Sequence, residues 1–584
     1  MTLAKIKENV SLASIFLLLL VPFIGPYRYY NATGFINDMS AVSCITLVLL
    51  CTLIYCKKIV IPNYIILLLC GGILLVATTF FNSTYEQARL SLIIWLTSAA
   101  LISICIFSIK HQYANNKLFH FKLASSMFYS AFLIAVIAFL AFYFVDPFAK
   151  FTHIAFYYNG PLRMDSFLGQ PNLLAIILFL GIVAYYYVSS EIKNKYRLSI
   201  YMLMVFLISF CLFSTLSRVA LVALVVFVFY VSLDAFRYNN KRGVLRLFVI
   251  IGLAYLSYQY LHPYLIEYGI QQQWIPAAVH DATQIDSVSY NRATNLDHKL
   301  DEIRRALTIF SQHPITGVGF GRYGYYSQQL TLAGWPVYIV GFPYHSHNII
   351  SQILAEFGAI GAGVLLVSII LTVRVLIKSY SSRAHLFLFG LVLIFGINAL
   401  FEYALWNLNF AVLLFALFAG FSNDKVVEVE LLKTPSLKVA YGVFMGGFIL
   451  VLASRWSIID TLNTIFLKPE NVIYAQSMTE DRLMGLDFSS IYLAGIKFSD
   501  ATDKQYENEV TKVEKWRPTD MVYYRKVQLD IGNNNAKDIT TNIKKALRLG
   551  ANVETFDKLF QIDCQIKNEA CLTGESYIDS LRSL

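Results

Sequence analysis

Along most of this chain apolar residues run in unbroken blocks divided by short polar breaks, with neither the strict alternation of a half-buried strand nor the one-sided stripe of a surface helix. The blocks are roughly 17 to 25 residues long, the length of a helix that crosses ~30 Å of hydrocarbon, and are too uniformly apolar for barrel strands. About thirteen of them follow one another, centred near residues 17, 48, 69, 98, 133, 179, 206, 227, 254, 361, 393, 412 and 448. No small-residue cleavage site follows the first, VSLASIFLLLLVPFIG, so it reads as a retained span and not a secretory signal.

Composition agrees with this pattern. Of 584 residues 57% are hydrophobic and 14% charged, against a charged fraction of about 25% in soluble globular proteins. The mean hydropathy is +0.57. An all-α polytopic membrane protein is expected, with the lipid bilayer as its surroundings. The net charge of +10 lies largely in the loops, where it sets orientation, and no nucleic-acid partner is implied. Lysines and arginines at Lys57-Lys58, Lys110 to Lys122, Lys193 to Arg197, Arg237 to Arg246, Arg374 to Arg383 and Lys425 to Lys438 fall on one side, which is then cytoplasmic. An odd span count puts the long loop of about 262–345 outside, and with it the tail. The expected division is a membrane body, 1–458, and an external helical domain, 459–584.

In that tail YYRKVQLDIG and TTNIKKALRLG carry apolar residues at helical spacing around the turn NNNAK. They read either as tetratricopeptide-like helix pairs or as a plain helical cap. Six of eight cysteines sit in or beside spans; Cys564 and Cys571 are in the tail, where an oxidising compartment permits a disulfide.

The orientation makes the outer cations informative, because insertion does not favour them there. Arg163, Arg218 and Arg322 are the chief ones. Arg218 lies in FSTLSRVALVAL between two spans with almost no loop, at the membrane surface beside helix ends. Guanidinium forks suit phosphate oxygens. No D-x-D, H-E-x-x-H or C-x-x-C is present, so neither a metal site nor a cofactor is expected. The run GVGFG (317–321) fails the G-x-G-x-x-G spacing and follows no Rossmann-type strand. It is either a turn that brings Arg322 and backbone amides to an anionic group, or plain loop geometry.

In HSHNIISQILAEFG, His345 and His347 stand at the outer mouth of a span. Were both on the helix they would diverge by about 200°, leaving one to face a given cavity. His347 is the candidate general base, with His345 and Asn348 beside the substrate. Glu402 and Tyr403, at the outer break between two spans, are either substrate-binding residues or part of an interfacial aromatic belt with one solvated carboxylate, and Gln170, ahead of Pro171 at a helix start, is a further candidate for substrate binding.

The motif R-A-L-x-x-F-x-x-H-P-I-x-G-V-G-F-G in a long outer loop, followed by H-N, nine residues and Gly358, resembles the O-antigen ligase and polymerase superfamily over roughly residues 160 to 420. FLGQPNLLA (167–175) and FEYALW (401–406) resemble the G-Q-P-N and E-Y-x-L-W signatures of its PglL-type protein O-oligosaccharyltransferases, with A-L-F-E-Y (399–403) where that branch has S-L-x-E-Y. The resemblance implies a GT-C-like membrane glycosyltransferase of the bacterial inner membrane whose active site faces the periplasm. Its donor would be an undecaprenyl-diphosphate-linked oligosaccharide and its acceptor a Ser or Thr of an exported protein such as pilin. Gln170, His347 and Tyr403 match residues important in that branch, and Arg218 matches the superfamily's short-loop arginine. Ligation of O-antigen to lipid A-core is the enzymatic alternative, and transport of the lipid-linked glycan the non-enzymatic one.

Overall fold

The computed structural model describes residues 3–24, 33–148 (except 57, 83, 114 and 146), 163–164, 168, 170–238, 241–275, 285–335, 345–380, 383–423, 426–430, 489, 492–493, 503–549, 551, 553–564 and 568–582. Among them nine helices are long and apolar enough to span a membrane: Asn37–Tyr55, Asn63–Phe81, Glu86–His111, Asn116–Tyr143, Pro171–Ser189, Lys195–Ser214, Lys241–Gln271, Ile349–Ser379 and Ala384–Phe401. Three shorter apolar helices, Asn9–Phe23, Arg218–Leu233 and Leu408–Phe421, fall on further expected spans. The expected span near residue 448 lies outside the described residues, as does the proposed boundary at 458.

The chain divides into two compact units. The first comprises Met1–Gly72, Trp95–Arg292 and Leu365–Arg455; the second comprises Ile73–Ile94, Ala293–Val364 and Trp456–Leu584. At the centre of the first is the helix Pro171–Ser189, whose side chains from Leu174 to Leu180 have no exposure at all. Close approach is built into it: a Cβ on Gly181 would lie 2.6 Å from the Ala131 Cβ. By contrast Leu203, Val225 and Phe229 on neighbouring helices are exposed, as apolar side chains facing lipid must be.

Contacts inside this unit sort the helix ends. The strands Lys58–Pro62 and Val426–Glu430 pair antiparallel with Lys58 opposite Glu430, and the Lys58 Nζ meets the Glu428 carboxylate at 2.7 Å. Arg383 bonds to Ser190 and Glu191 at 2.7 and 3.1 Å. The Lys110 ammonium donates to the Ser422 carbonyl. Loops grouped by their positive charge are thus partners at one end. At the other, Arg163 reaches Thr215 and Gln170 reaches Glu402. The strand pair was not foreseen, since KIVIP and VVEVE are short runs beside much longer apolar blocks.

The long outer loop begins later than expected. The helix Lys241–Gln271 continues through Pro263, and packing holds it there: the His262 Nδ1 lies 2.6 Å from the Tyr143 hydroxyl, and its ring stacks on Phe142. A proline inside a helix is tolerated where neighbouring helices hold the segment.

A helix of 28 residues, Ile285–Gln312, leads into the second unit, and the chain after Arg322 forms a further helix, Tyr323–Leu332. The tail folds into Asp503–Trp516, Asp520–Gly532, Ala536–Arg548, Val553–Asp563 and Glu569–Arg582. YYRKVQLDIG and the helical part of TTNIKKALRLG fall on the second and third of these. Asn534, at φ 51°, turns the chain between them. Val527, Ile531, Ile539, Ile543, Phe556 and Phe560 belong to one core, and Cys564 and Cys571 are joined in a buried disulfide with Cα atoms 5.5 Å apart.

Candidate active site

The first unit gathers polar side chains at the start of its most buried helix. Pro171 occupies the opening turn, where its missing N–H costs nothing, so Gln170 stands at the N-cap position. Facing it, Ala384–Phe401 ends as Glu402 turns extended (φ −148°), and the Trp95 indole, donating to the Leu405 carbonyl at 2.9 Å, fixes the following turn. The Glu402 carboxylate, 6% exposed, accepts from Gln170 Nε2 at 3.2 Å and from Asn172 Nδ2 at 2.8 Å. Asn172 Oδ1 accepts from Arg163 Nη2 at 3.2 Å, and Arg163 Nε donates to the Thr215 carbonyl at 3.0 Å. Burial and the adjoining Glu402 charge push the Tyr403 phenol up to about 12. Asn172, the last residue of the G-Q-P-N motif, bridges an arginine to a carboxylate, a role that its spacing in the sequence does not signal.

Three residues past Thr215, the helix Arg218–Tyr238 begins with Arg218 itself, exposed. The link is short because Leu216 adopts φ 50°.

The second unit carries the histidines, and here one expectation is corrected. Its helix starts at Ile349, so neither His345 nor His347 is helical. Instead of diverging, their rings meet edge to face with centroids 4.6 Å apart. His347 sits at φ 53°, a region that non-glycine residues enter only when their surroundings enforce it. The surroundings do. Asn348 caps the helix, its Oδ1 accepting from the amides of Ile350 and Ser351 at 3.0 and 3.1 Å, a contact typically worth about 1 kcal/mol. Ser346, with no exposure, donates its amide to Gln352 Oε1 at 2.6 Å and lies 2.9 Å from the Ser351 hydroxyl.

The glycine run serves this same helix. Gly358 breaks it at φ 61°, and residues 314–319 lie against the break: Val318 and Gly319 amides donate to the carbonyls of Ala355 and Glu356 at 2.9 Å, and Ala359 donates back to Pro314 at 2.9 Å. A Cβ on Gly317 would sit 2.3 Å from the Glu356 backbone, and one on Gly358 2.4 Å from the Ile315 oxygen. H-P-I-x-G-V-G and H-N-x9-G are two halves of one backbone-to-backbone contact. The amides of Gly317, Val318 and Gly319 are thus consumed inside the protein, as plain loop geometry requires.

Arg322 is 7% exposed. Its guanidinium stacks on Tyr325 at 4.2 Å and Tyr85 at 4.9 Å, and Nη1 donates to the Lys515 carbonyl at 3.0 Å. Nearby, the Tyr323 hydroxyl donates to Glu302, whose burial pushes its carboxyl up to about 8. No group of three or more His, Cys, Asp or Glu among the described residues is placed to hold a metal ion.

Fold and composition thus define an all-α multi-pass membrane protein with polar clusters at helix ends. Residues 203–366 match the family model described as O-antigen ligase. That stretch contains Arg218, Arg322, His345, His347 and Asn348; Arg163, Gln170, Glu402 and Tyr403 lie outside it. No curated protein matches the chain significantly.

Proposed function

We propose that the protein is an oligosaccharyltransferase of the inner membrane that moves a glycan from an undecaprenyl-diphosphate carrier to Ser or Thr of exported proteins such as pilin, at a site open to the periplasm and without a metal. The observation that carries this reading is the O-antigen ligase match over 203–366, inside which His347 is held at a positive φ by a capped helix and a glycine-locked loop. A base so restrained suits proton transfer.

In this reading the acceptor oxygen attacks the anomeric carbon, its proton passes to the His347 imidazole, and the bond from that carbon to the phosphate oxygen breaks. The departing diphosphate gathers negative charge, for which guanidinium groups are the stabilising partners. Arg218, exposed at its helix start, is the principal one. Arg163 and Arg322 spend donors on protein oxygens and are secondary candidates. Gln170, Glu402, Tyr403, His345 and Asn348 are assigned to substrate binding, with Asn348 also the helix cap.

The description of the matched family favours a second reading, transfer of O-antigen to lipid A-core. Expressing the chain with a lipid-linked glycan pathway separates the two, once beside a pilin and once in a ligase-deficient strain. Glycosylated pilin supports the first; restored lipopolysaccharide supports the second. If neither gains sugar, glycan transfer is wrong and transport of the carrier becomes the reading to test.

A further inference from the structure

The amide of Gln170 offers a donor at one end and an acceptor at the other, so what a substrate meets depends on which end faces Glu402. A carboxylate only accepts. Glu402 therefore draws in Nε2, at 3.2 Å, and turns Oε1 away. That oxygen is buried without a hydrogen-bond partner among the described residues, whereas buried polar atoms in folded proteins are nearly always paired.

Glu402 is oriented in its turn. Asn172 donates to its other oxygen, and Asn172 cannot flip without setting its NH2 against the Arg163 guanidinium and its carbonyl against the carboxylate. Arg163 is fixed by its bond to the Thr215 carbonyl. The series runs from cation to amide to carboxylate to amide, and each member settles the orientation of the next.

From this series we propose that Arg163 and Asn172 are positioning residues: they fix the Glu402 carboxylate so that Gln170 presents a carbonyl oxygen to a hydrogen-bond donor of the substrate, a sugar hydroxyl or an acetamido N–H. The proposal rests on the glycan-transfer reading and reassigns Arg163 from the diphosphate to the support of Glu402. It also says why a glutamate distant in sequence meets Arg163 and Asn172 at this helix start.

An exchange of groups tests it in the full-length protein. Asn172→Asp sets two carboxylates face to face. Glu402→Gln offers the Gln170 and Asn172 donors a single oxygen, and permits the Gln170 amide to reverse. Combining the two rebuilds the three hydrogen bonds of the series with the charge moved one residue nearer Arg163. In detergent, each single variant is expected to melt below wild type and the double variant to regain most of the loss, a coupling that independent sites do not show. In transfer assays with an undecaprenyl-diphosphate-linked oligosaccharide, each single is expected to lose on the order of 10-fold or more in kcat/KM, chiefly through the KM of whichever substrate supplies the hydrogen. The double variant should recover most of that loss.

Additive melting shifts would refute the network whatever the activity. Coupled melting without recovery of transfer would leave a structural network and refute its positioning role. A wild-type protein that transfers to no acceptor would refute the glycan-transfer reading, and the substrate role of Gln170 with it, while the melting cycle still decides the network.

Discussion

At the scale of residues, the two histidines are not equivalent but neither are they independent. His347→Ala removes the proposed base, and transfer should fall on the order of 10²-fold or more while the protein still inserts and folds. His345→Ala removes the ring lying edge to face on His347 and should cost less, about 10-fold. Full transfer by the His347 variant would end its assignment as base. Arg218→Lys keeps the charge and loses the planar fork, so if diphosphate geometry matters that change alone should impair transfer, and EDTA should leave wild type unaffected. A strict requirement for a divalent ion, or free exchange of lysine for arginine, would count against that view. Glu302 makes a prediction about pH. Its carboxyl stands at about 8 in the fold against an ordinary 4.5, so the folded state holds the proton more tightly than the unfolded chain does. The stability it contributes is full below about pH 4.5 and is lost as pH rises through 8. Melting temperature should therefore decline between about pH 4.5 and 8 and level off above that, and Glu302→Gln should flatten that slope; an unchanged slope would show that other groups set it.

At the scale of elements, the glycine contact bears most directly on the histidine loop. Gly317→Ala and Gly358→Ala each force a Cβ into backbone at under 2.5 Å, at residues with φ near +60°. Each should destabilise the second unit by about 2–4 kcal/mol. Gly363, five residues along in the same helix, has nothing within 4 Å of an added Cβ, so Gly363→Ala should cost nothing and gain up to about 1 kcal/mol in helix propensity. Melting curves that fail to separate the three would show that the loop is not locked as drawn. The contact also shows why some elements were legible and others were not. Long apolar blocks declare themselves, because each helix meets the bilayer on its own, and twelve of the expected positions fall on apolar helices. The NNNAK turn was legible for a similar local reason. The glycine run was not: its spacing answers to a backbone some forty residues away, which no local pattern encodes. Nor was the loop placement of the histidines, decided by the Asn348 cap and not by the apolar run beyond it.

At the scale of the whole molecule, the question is which side of the membrane each end of the helices faces, and charge supplied the only argument from sequence. The fold adds that loops grouped by charge do meet, since 58–62 pairs with 426–430 and Arg383 with Glu191, while Gln170, Arg163 and Glu402 gather at the opposite helix ends. These contacts agree with the grouping of those loops, and the positive-inside rule supplies its direction. From the strand ending at Glu430 to the tail helix starting at Asp503, one further crossing near residue 448 is expected, and it would carry the tail to the outside. The Cys564–Cys571 disulfide is what an oxidising compartment would sustain and a reducing cytoplasm would not. We therefore expect a reporter fused after Leu584 to be active only in the periplasm, and the two thiols to resist alkylation until a reductant is added. One fused after Asn423, ahead of the strand, should be active only in the cytoplasm. If both reporters work on the same side, no crossing lies between them and the tail stays with the positive loops. If the two sides are exchanged, the charge rule has been misapplied and the proposed transfer faces the wrong compartment for an exported acceptor.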